Sequence, residues 1–415
     1  MMTEYDLVVV GAGPAGLFAA IHAGRKGMSV LVLEKNASAG RKLLASGSGR
    51  CNVTNAAPID EFPSRYGNAS RFVRPALLGY TNSDLMSFFE EGGVPLTEMN
   101  GGKVFPSSQR ARDILDLLLD EAAKAGVAFR YSCPVDSVSR VEGIFFVHTD
   151  GGEFKARSIL LSTGGKSYPG TGSTGDGYRV ASELGHTIAE PGPALTPLNV
   201  KDYALADCAG ISVKDAGIAI VRDGAEIARF NGDVLFTHKG LSGPGILDSS
   251  RQIRAGDVIL LALAGSEAEI EGAFLAAANG KGSKTAKAFA VSLGIPERLA
   301  VAALAACGID GATAIARLDR EARKRLARGI AAMPFTVASL AGYGEAMATR
   351  GGVSLSEVNA KTMESRLVPG LFFAGEILDV DGDTGGFNLQ FAFSSGKLAA
   401  DAMARKRNDR DDEGR

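Results

Sequence analysis

The chain has 415 residues, 45% hydrophobic and 22% charged, a balance that suits an ordinary globular protein of about two or three domains. A formal net charge of −2 excludes a strong whole-molecule pull on nucleic acid or on an anionic membrane, and no apolar run reaches membrane-spanning length. Four scattered cysteines (Cys51, Cys133, Cys208 and Cys307) with no C-x-x-C pair argue against a redox dithiol, a zinc or other metal site and a disulfide framework, and a start without a secretory h-region adds the expectation of a cytoplasmic protein.

The first predicted element is a strand over Leu7–Val10, a branched apolar run of the kind buried on both faces. Gly11, Gly13 and Gly16 follow at once in G-x-G-x-x-G spacing, and a helix opens at Pro14–Ala15. A second strand, Ser29–Leu33, ends in Glu34, about twenty residues beyond the first glycine. Each part has a physical task in holding a dinucleotide. Gly11 permits the tight turn, Gly13 lets backbone approach a pyrophosphate, and Gly16 lets the helix lie close on the strand. The helix start offers free N–H groups to phosphate, and Glu34 is placed to accept from both ribose hydroxyls, which disfavours a 2′-phosphate and hence NADP. A bare G-x-G-x-x-G is weak, but strand, helix, strand and acid stand here in the required order. The motif alone does not separate FAD from NAD.

Residues 35–55 read as a long loop, of a length that is usually functional. In it, Arg41 and Lys42 are candidate contacts to the second side of a pyrophosphate, and Lys35 is a further candidate cofactor contact. Ser46, Gly47, Ser48, Gly49 and Asn52 let backbone pass close to a flat ligand. Asp113–Ala125 has the periodicity of a helix with one broad buried face. Strands are predicted at 127–131, 135–141, 144–148 and 154–162. Val135 heads the second of these and is placed among the cofactor contacts. The last one runs into Thr163-Gly164-Gly165, as a parallel sheet does beneath a bound dinucleotide. The second literal G-x-G-x-x-G, Gly170–Gly175, follows no strand and reads as a glycine-rich lid before a helix over 176–184, so no second Rossmann domain for NAD(P)H is expected.

From about Pro193 the texture becomes short strands (198–200, 211–214, 217–222, 226–230, 234–237 and 258–262), a small antiparallel barrel or sandwich. From Glu267 to Ala332 it is helical. Residues 314–330 carry Leu318, Ala322, Leu326 and Ile330 on one stripe, with Arg317, Arg320, Lys324 and Arg328 near the opposite face; a solvated basic face is the default reading, a docking surface for an acidic partner the sharper one. Beyond Met333 the α/β texture returns, with a buried strand at 370–376, an acid- and glycine-rich loop at 379–386, a long helix from Phe387 to Met403 and a charged tail expected to be disordered.

The opening GAGPAG and the closing FFAGE…TGGFNLQFAFSSG resemble flavoproteins of the glutathione-reductase type. GRKLLASGSGRCNVTN (40–55), GGKVFPSSQRA (101–111), STGGKSYPGTGSTGDGY (162–178), DVLFTHKGLSGPGIL (233–247) and the long stretch 350–396 resemble more closely the HI0933-like family of FAD proteins, including its aminoacetone-oxidase-like branch. The resemblance implies an α/β fold: a glutathione-reductase-type Rossmann domain split over residues 1–193 and 334–405, with an inserted antiparallel β-barrel over 194–266 and a helical subdomain over 267–333; composition adds a disordered tail at 406–415. It implies FAD as cofactor. Gly11, Gly13, Gly16 and Glu34 would hold the ADP half; Arg41, Lys42 and 46–52 would meet pyrophosphate and flavin; Gly375, Glu376, Gly386, Phe387, Asn388 and Leu389 would serve the ribityl chain and pyrimidine. Where the wider class has an Asp after the terminal strand, this chain has Glu376.

A flavin that exchanges hydride needs no nucleophile, so the remaining chemistry is acid–base. His238, Tyr168 and Lys166 are the candidates, with a structural histidine as the plain alternative for His238. Cys51 reads as a packed thiol. The expected partner is a small organic substrate, with NAD(P)H as transient electron donor. An amine oxidase and a flavin-bound scaffold or RNA-modification partner are the alternatives, and near-neutral charge argues against a nucleic-acid partner.

Overall fold

Leu7, Val8, Val9 and Val10 are buried because strands or helices cover them on every side, and the sheet they belong to is built around that run. The computed structural model describes residues 4–278 and 284–413. The chain forms two units, Met1–Ala194 with Ala346–Arg415, and Leu195–Glu345.

In the first unit the strand Glu4–Val10 pairs in parallel with Val30–Leu33 on one side (Leu7 opposite Val30) and with Gly152–Leu161 on the other (Val10 opposite Leu161). Ala128–Arg130 extends the sheet beyond Val30–Leu33. Gly152–Leu161 changes partner along its length. Its start pairs antiparallel with Ile144–Thr149, which pairs with Val135–Val141, while Ile159–Leu161 pairs in parallel with Leu371–Phe373. The chain thus enters the central sheet a last time from near its far end. The first helix, Pro14–Gly24, and the closing helix, Phe387–Glu413, pack closely, since a Cβ on Gly396 would come 2.4 Å from the Ala15 carbonyl oxygen. A small antiparallel sheet (Thr54–Asn55, Lys103–Pro106, Leu96–Met99) and the pair Ile188–Ala194 with Ala348–Val353 complete the unit.

Two expectations for this unit differ from the structure. Residues 41–49 are not loop: Arg41–Ala45 is a short helix followed by a 3-10 turn at Ser46–Gly49. Serine and glycine density marks turns, and a five-residue helix has no periodicity to betray it. Residues 406–413 are helical rather than disordered, because the closing helix continues to Glu413. Lys406 pairs with Glu364, and Arg407 donates to the Gly27 carbonyl oxygen at 2.7 Å, so these charges are tied down.

The second unit is a closed six-stranded barrel of Leu198–Val200, Gly240–Ser242, Ala225–Phe236, Ser212–Arg222, Val258–Leu261 and Met333–Leu340, in that order. The four short strands read at 211–214, 217–222, 226–230 and 234–237 are two long ones, joined at Asp223-Gly224. Both loop residues have positive φ (50° and 80°), as the tightest hairpin turns require. The polar residues Lys214-Asp215 mark a bulge and not a break. Met333–Leu340 is a barrel strand, so the return to the first unit comes at Ala346 and not at 334. The helices Glu267–Ala278, Ala286–Ser292, Glu297–Ala306 and Arg320–Ala331 share one core with the barrel: Ile270, Phe289, Leu299, Leu326 and Ile330 lie in the same buried cluster as Ile218, Phe236 and Ile259. A division at 266/267 would cut through that core.

His22 gives the first unit an acid sensitivity. Its ring packs against Phe18 at 4.5 Å, near Tyr80 and Phe88, and its Nε2 is buried without a partner. Burial, reinforced by Lys397 and Arg25, lowers its pKa from 6.5 to about 3. The unfolded chain therefore binds a proton below pH 6.5 that the folded one refuses, so stability present above that pH is lost as pH falls toward 3. In urea titrations His22→Leu is expected to flatten the fall in midpoint over this window. An unchanged slope would assign the acid sensitivity to other groups.

Candidate functional site

The site begins where the first strand ends. Gly11, at φ +101°, donates its N–H to the Leu33 carbonyl oxygen at 2.8 Å, and a Cβ there would press on the backbone of Ser162 at 2.8 Å. Gly16 is pinned harder, since its Cβ would stand 2.1 Å from the Gly11 oxygen and 2.6 Å from Ser162 Oγ. Gly13 caps the first helix in extended conformation with no side chain bonded to the helix start, and a Cβ on it would meet nothing within 4 Å. The free N–H groups therefore face open space, with Pro14 at the first helical position and Ala15 buried behind it. That is a cradle for a phosphate group.

Glu34 is buried beside the turn, 7% exposed. Its Oε2 accepts from the Ala12 N–H at 2.9 Å; its Oε1 accepts from the Asn36 N–H at 2.8 Å and from Asn36 Nδ2 at 2.6 Å. A carboxylate offers about four acceptor positions, so capacity for a ribose hydroxyl remains.

The structure joins distant segments at this turn. The Ser162–Thr163 backbone lies under Gly11, and a Cβ on Gly375 would stand 3.0 Å from Ala15 Cβ. Gly375 N–H donates to Ser395 Oγ of the closing helix at 3.0 Å. Thr163 Oγ1 is buried with no partner, and Gly164 follows it at the sheet's end. Gly375 thus meets the first turn directly, whereas Gly386 does not. Gly386, at φ +103°, rests on the Thr54 carbonyl oxygen, which a Cβ would approach to 2.3 Å. Asn388 braces the loop before it, accepting from Gly382 N–H and donating to Gly382 O, both at 2.9 Å. The Phe387 carbonyl accepts from Tyr66 Oη at 2.6 Å, its ring packs on Phe62 at 4.9 Å, and Leu389 is half-buried. An open cavity of about 300 Å³ adjoins this loop, bordered by Asn55, Arg65, Glu98, Lys103, Thr384 and Phe387.

The predicted basic contacts are all engaged with protein. Lys35 Nζ donates to Thr174 Oγ1 and pairs with Asp176, each at 2.5 Å. Burial works to raise Asp176, but the bonds from Lys35 and Thr174 outweigh it and hold the carboxyl below its ordinary range. Arg41 donates to Asn36 Oδ1 at 2.9 Å and to the Gly170 carbonyl at 3.1 Å. These two side chains fasten the glycine-rich stretch 170–175 beside Glu34. Lys42 reaches Ser167 Oγ and lies 2.5 Å from Glu376 Oε2. The other oxygen of Glu376 accepts from Ser167 Oγ at 2.9 Å and from the Thr349 N–H at 2.8 Å. Sequence reasoning missed Ser167, Thr349 and Asn36; only Ser167 had a signal, its place within the GGKSYPG stretch.

Elsewhere, Ser46 Oγ bonds Leu43 O at 2.7 Å, and Gly47 packs beside Asn52, whose Oδ1 accepts from Val104 N–H at 3.1 Å. Ser48 and Gly49 are exposed on the 3-10 turn. Val135 stands at a strand start, its carbonyl accepting from Arg179 at 3.4 Å. Lys166 and Tyr168 are half-buried on the segment after Gly165, Tyr168 at φ +53°. His238 belongs to the second unit, exposed in the turn between Ala225–Phe236 and Gly240–Ser242. Cys51 is fully buried, and burial pushes its thiol up to about 12, so it stays protonated at neutral pH. Among the described residues no helix is long and apolar enough to cross a membrane.

An adenine dinucleotide fits what is present: the open uncapped helix start, the glycine approaches and the buried ribose-side carboxylate. The fold and these features define an FAD-binding flavoprotein of Rossmann type. The chain belongs to the family described as HI0933-like protein Rossmann domain, matched over residues 5–402, and it is an FAD-dependent oxidoreductase. It is 32% identical to the ribosomal RNA dihydrouridine synthase of Escherichia coli (strain K12), over 98% of this chain and 100% of that one. It is also 32% identical to the 3-dehydro-bile acid delta(4,6)-reductase of Clostridium scindens, over 96% of this chain and 98% of that one. Among solved structures, an E. coli quinol fumarate reductase FrdA variant shares the fold with a TM-score of 0.51 at 16% identity, covering 98% of this chain and 71% of that chain.

Proposed function

We propose that this protein reduces a carbon–carbon double bond with electrons from NAD(P)H, and that its substrate is a uridine of ribosomal RNA. The observation that carries the reading is the end-to-end 32% identity with a ribosomal RNA dihydrouridine synthase. Dihydrouridine differs from uridine by two hydrogens, and a delta-reductase likewise saturates a double bond, so both relatives point to the same half-reaction. They differ in substrate. The cavity beside the closing loop favours the polar one: Arg65, Lys103, Asn55 and Glu98 suit a nucleotide better than a fused hydrocarbon skeleton.

Bound in the cradle, FAD would supply the hydride. The chain's residues do the rest. Gly11, Gly13, Gly16 and Glu34 hold the ADP half, and the segments at Gly375 and Gly386–Leu389 hold the flavin half. The second hydrogen arrives as a proton, for which Lys166 and Tyr168 are the candidate donors. Cys51 is not among them, being sealed from solvent.

The test is anaerobic incubation of the purified holoprotein with NADH or NADPH and unmodified ribosomal RNA, then nucleoside mass spectrometry. Rapid flavin bleaching by one nicotinamide and a uridine gaining two hydrogens are expected. Bleaching by a primary amine instead, with peroxide on re-aeration, would make the protein an oxidase.

A further inference from the structure

We propose that the exposed face of the helix Arg320–Ala331, with the turn before it, is the surface that docks the phosphate backbone of ribosomal RNA; this rests on the RNA reading above. The helix is fixed in rotation by its buried side. Ala322, Leu326, Ala327 and Ile330 are in the second unit's core, and Asp319 caps the start by accepting from the Ala322 N–H at 2.7 Å. Burying that stripe forces the cations out. Arg317, Arg320, Arg325 and Arg328 are exposed, and Arg323 and Lys324 are half-buried.

Six cations and two acids, Asp319 and Glu321, stand between positions 317 and 328, in a chain whose net charge is −2. Solvated faces ordinarily interleave the two signs. Here Arg328 has a partner, Glu267 at 3.7 Å, and Asp319 is occupied as a cap. Arg323 lies over the Phe274 ring at 5.7 Å, and Arg325 donates to the Cys307 carbonyl at 3.4 Å. Among the described residues Arg317, Arg320 and Lys324 form no ion pair. From Arg320 to Arg328 the helix rises about 12 Å, and the Debye length is about 8 Å at physiological salt. Neighbouring charges therefore act together on one polyanion.

RNA is a better occupant than a membrane. A basic helix that lies on lipid needs an apolar face free to enter it, and this helix has its apolar face in the protein core. Five of the six cations are arginine, whose planar fork engages phosphate with two parallel bonds. The near-neutral net charge argues against nucleic acid only for the molecule as a whole; phosphate affinity is set by the local patch, and this one is basic.

The triple variant Arg317→Ser/Arg320→Ser/Lys324→Ser tests the surface, with protein-free bacterial ribosomal RNA as probe in filter binding. Retention is expected to weaken at least tenfold at about 100 mM salt, with the salt slope falling by about 2. Flavin content and bleaching by nicotinamide should not change, and the lysine variant Arg317→Lys/Arg320→Lys should keep most of the binding. Equal retention of triple variant and wild type, with dihydrouridine formed by both, overturns the surface and leaves the reaction standing. Failure of the wild type to form dihydrouridine overturns the reaction and the surface with it. Wild-type binding to phosphatidylglycerol vesicles but not to RNA also overturns the proposal.

Discussion

Glu34→Arg protein is expected to purify without flavin colour, and the wild type to purify yellow. Glu34 is 7% exposed and its carboxylate satisfies three donors: Ala12 N–H, Asn36 N–H and Asn36 Nδ2. Arginine has no acceptor, so all three lose their partner at about 1–3 kcal/mol each where no water reaches. It also brings a buried cation next to a helix start that already carries partial positive charge. The Ala12 N–H belongs to the glycine turn itself, so the phosphate cradle loosens together with the ribose contact. A loss of at least about 3 kcal/mol in FAD binding, a hundredfold or more in Kd, is the expected scale. Flavin absorbance against protein absorbance reads it directly, and circular dichroism separates lost cofactor from lost fold. Glu34→Gln keeps an acceptor and should fall between the two. Full occupancy in Glu34→Arg would show that the ribose is held elsewhere.

The parts legible in the sequence were those where local chemistry and tertiary role coincide. Leu7–Val10, the three glycines and Glu34 form one contiguous unit whose geometry follows from spacing, and the helix Ala111–Lys124 announced itself by periodicity. The two strands of the hairpin Ser212–Phe236 read as four because Asp215 and Asn231-Gly232-Asp233 look like further turns, beside the true one at Asp223-Gly224. Residues 334–340 read as part of the first unit, although Met333, Phe335 and Val337 are buried in strict alternation with exposed neighbours. Their period was readable; their partners, Leu198–Val200 and Val258–Leu261, were not.

The site followed the same rule. Charge placed Lys35, Arg41 and Lys42 near the cofactor-facing turn, but each reaches a segment far along the chain: Thr174 and Asp176, Gly170, and Ser167 with Glu376. A single sequence does not rank such pairings. The consequence is a division of labour. Under the proposed assignment backbone groups and glycines face the dinucleotide, while the cations tie together segments distant in sequence.

That division makes Glu376 the most informative side chain to remove. It joins the first helical turn after Gly40, the segment after Gly165 and the strand Ala348–Val353, through Lys42, Ser167 and the Thr349 N–H. Thr349 and Ser167 are fully buried, while the Lys42 and Glu376 side chains are 24% and 22% exposed, so solvent screens part of the ion pair. Truncating one partner of a fully buried pair costs about 3–5 kcal/mol; with screening, Glu376→Ala is expected to cost about 2–3 kcal/mol, lowering Tm by about 5–10 °C. Lys42→Met/Glu376→Gln removes the stranded ammonium and keeps an acceptor for Thr349, so it should melt above Glu376→Ala, with a coupling of about 1–2 kcal/mol in the four-corner cycle. Gln keeps an acceptor oxygen for Ser167 and Thr349, so Glu376→Gln should hold the surrounding segments in place and keep its flavin. Strict additivity in the cycle would dismiss the three-segment tie, and a colourless Glu376→Gln of unchanged Tm would place this side chain on the cofactor instead.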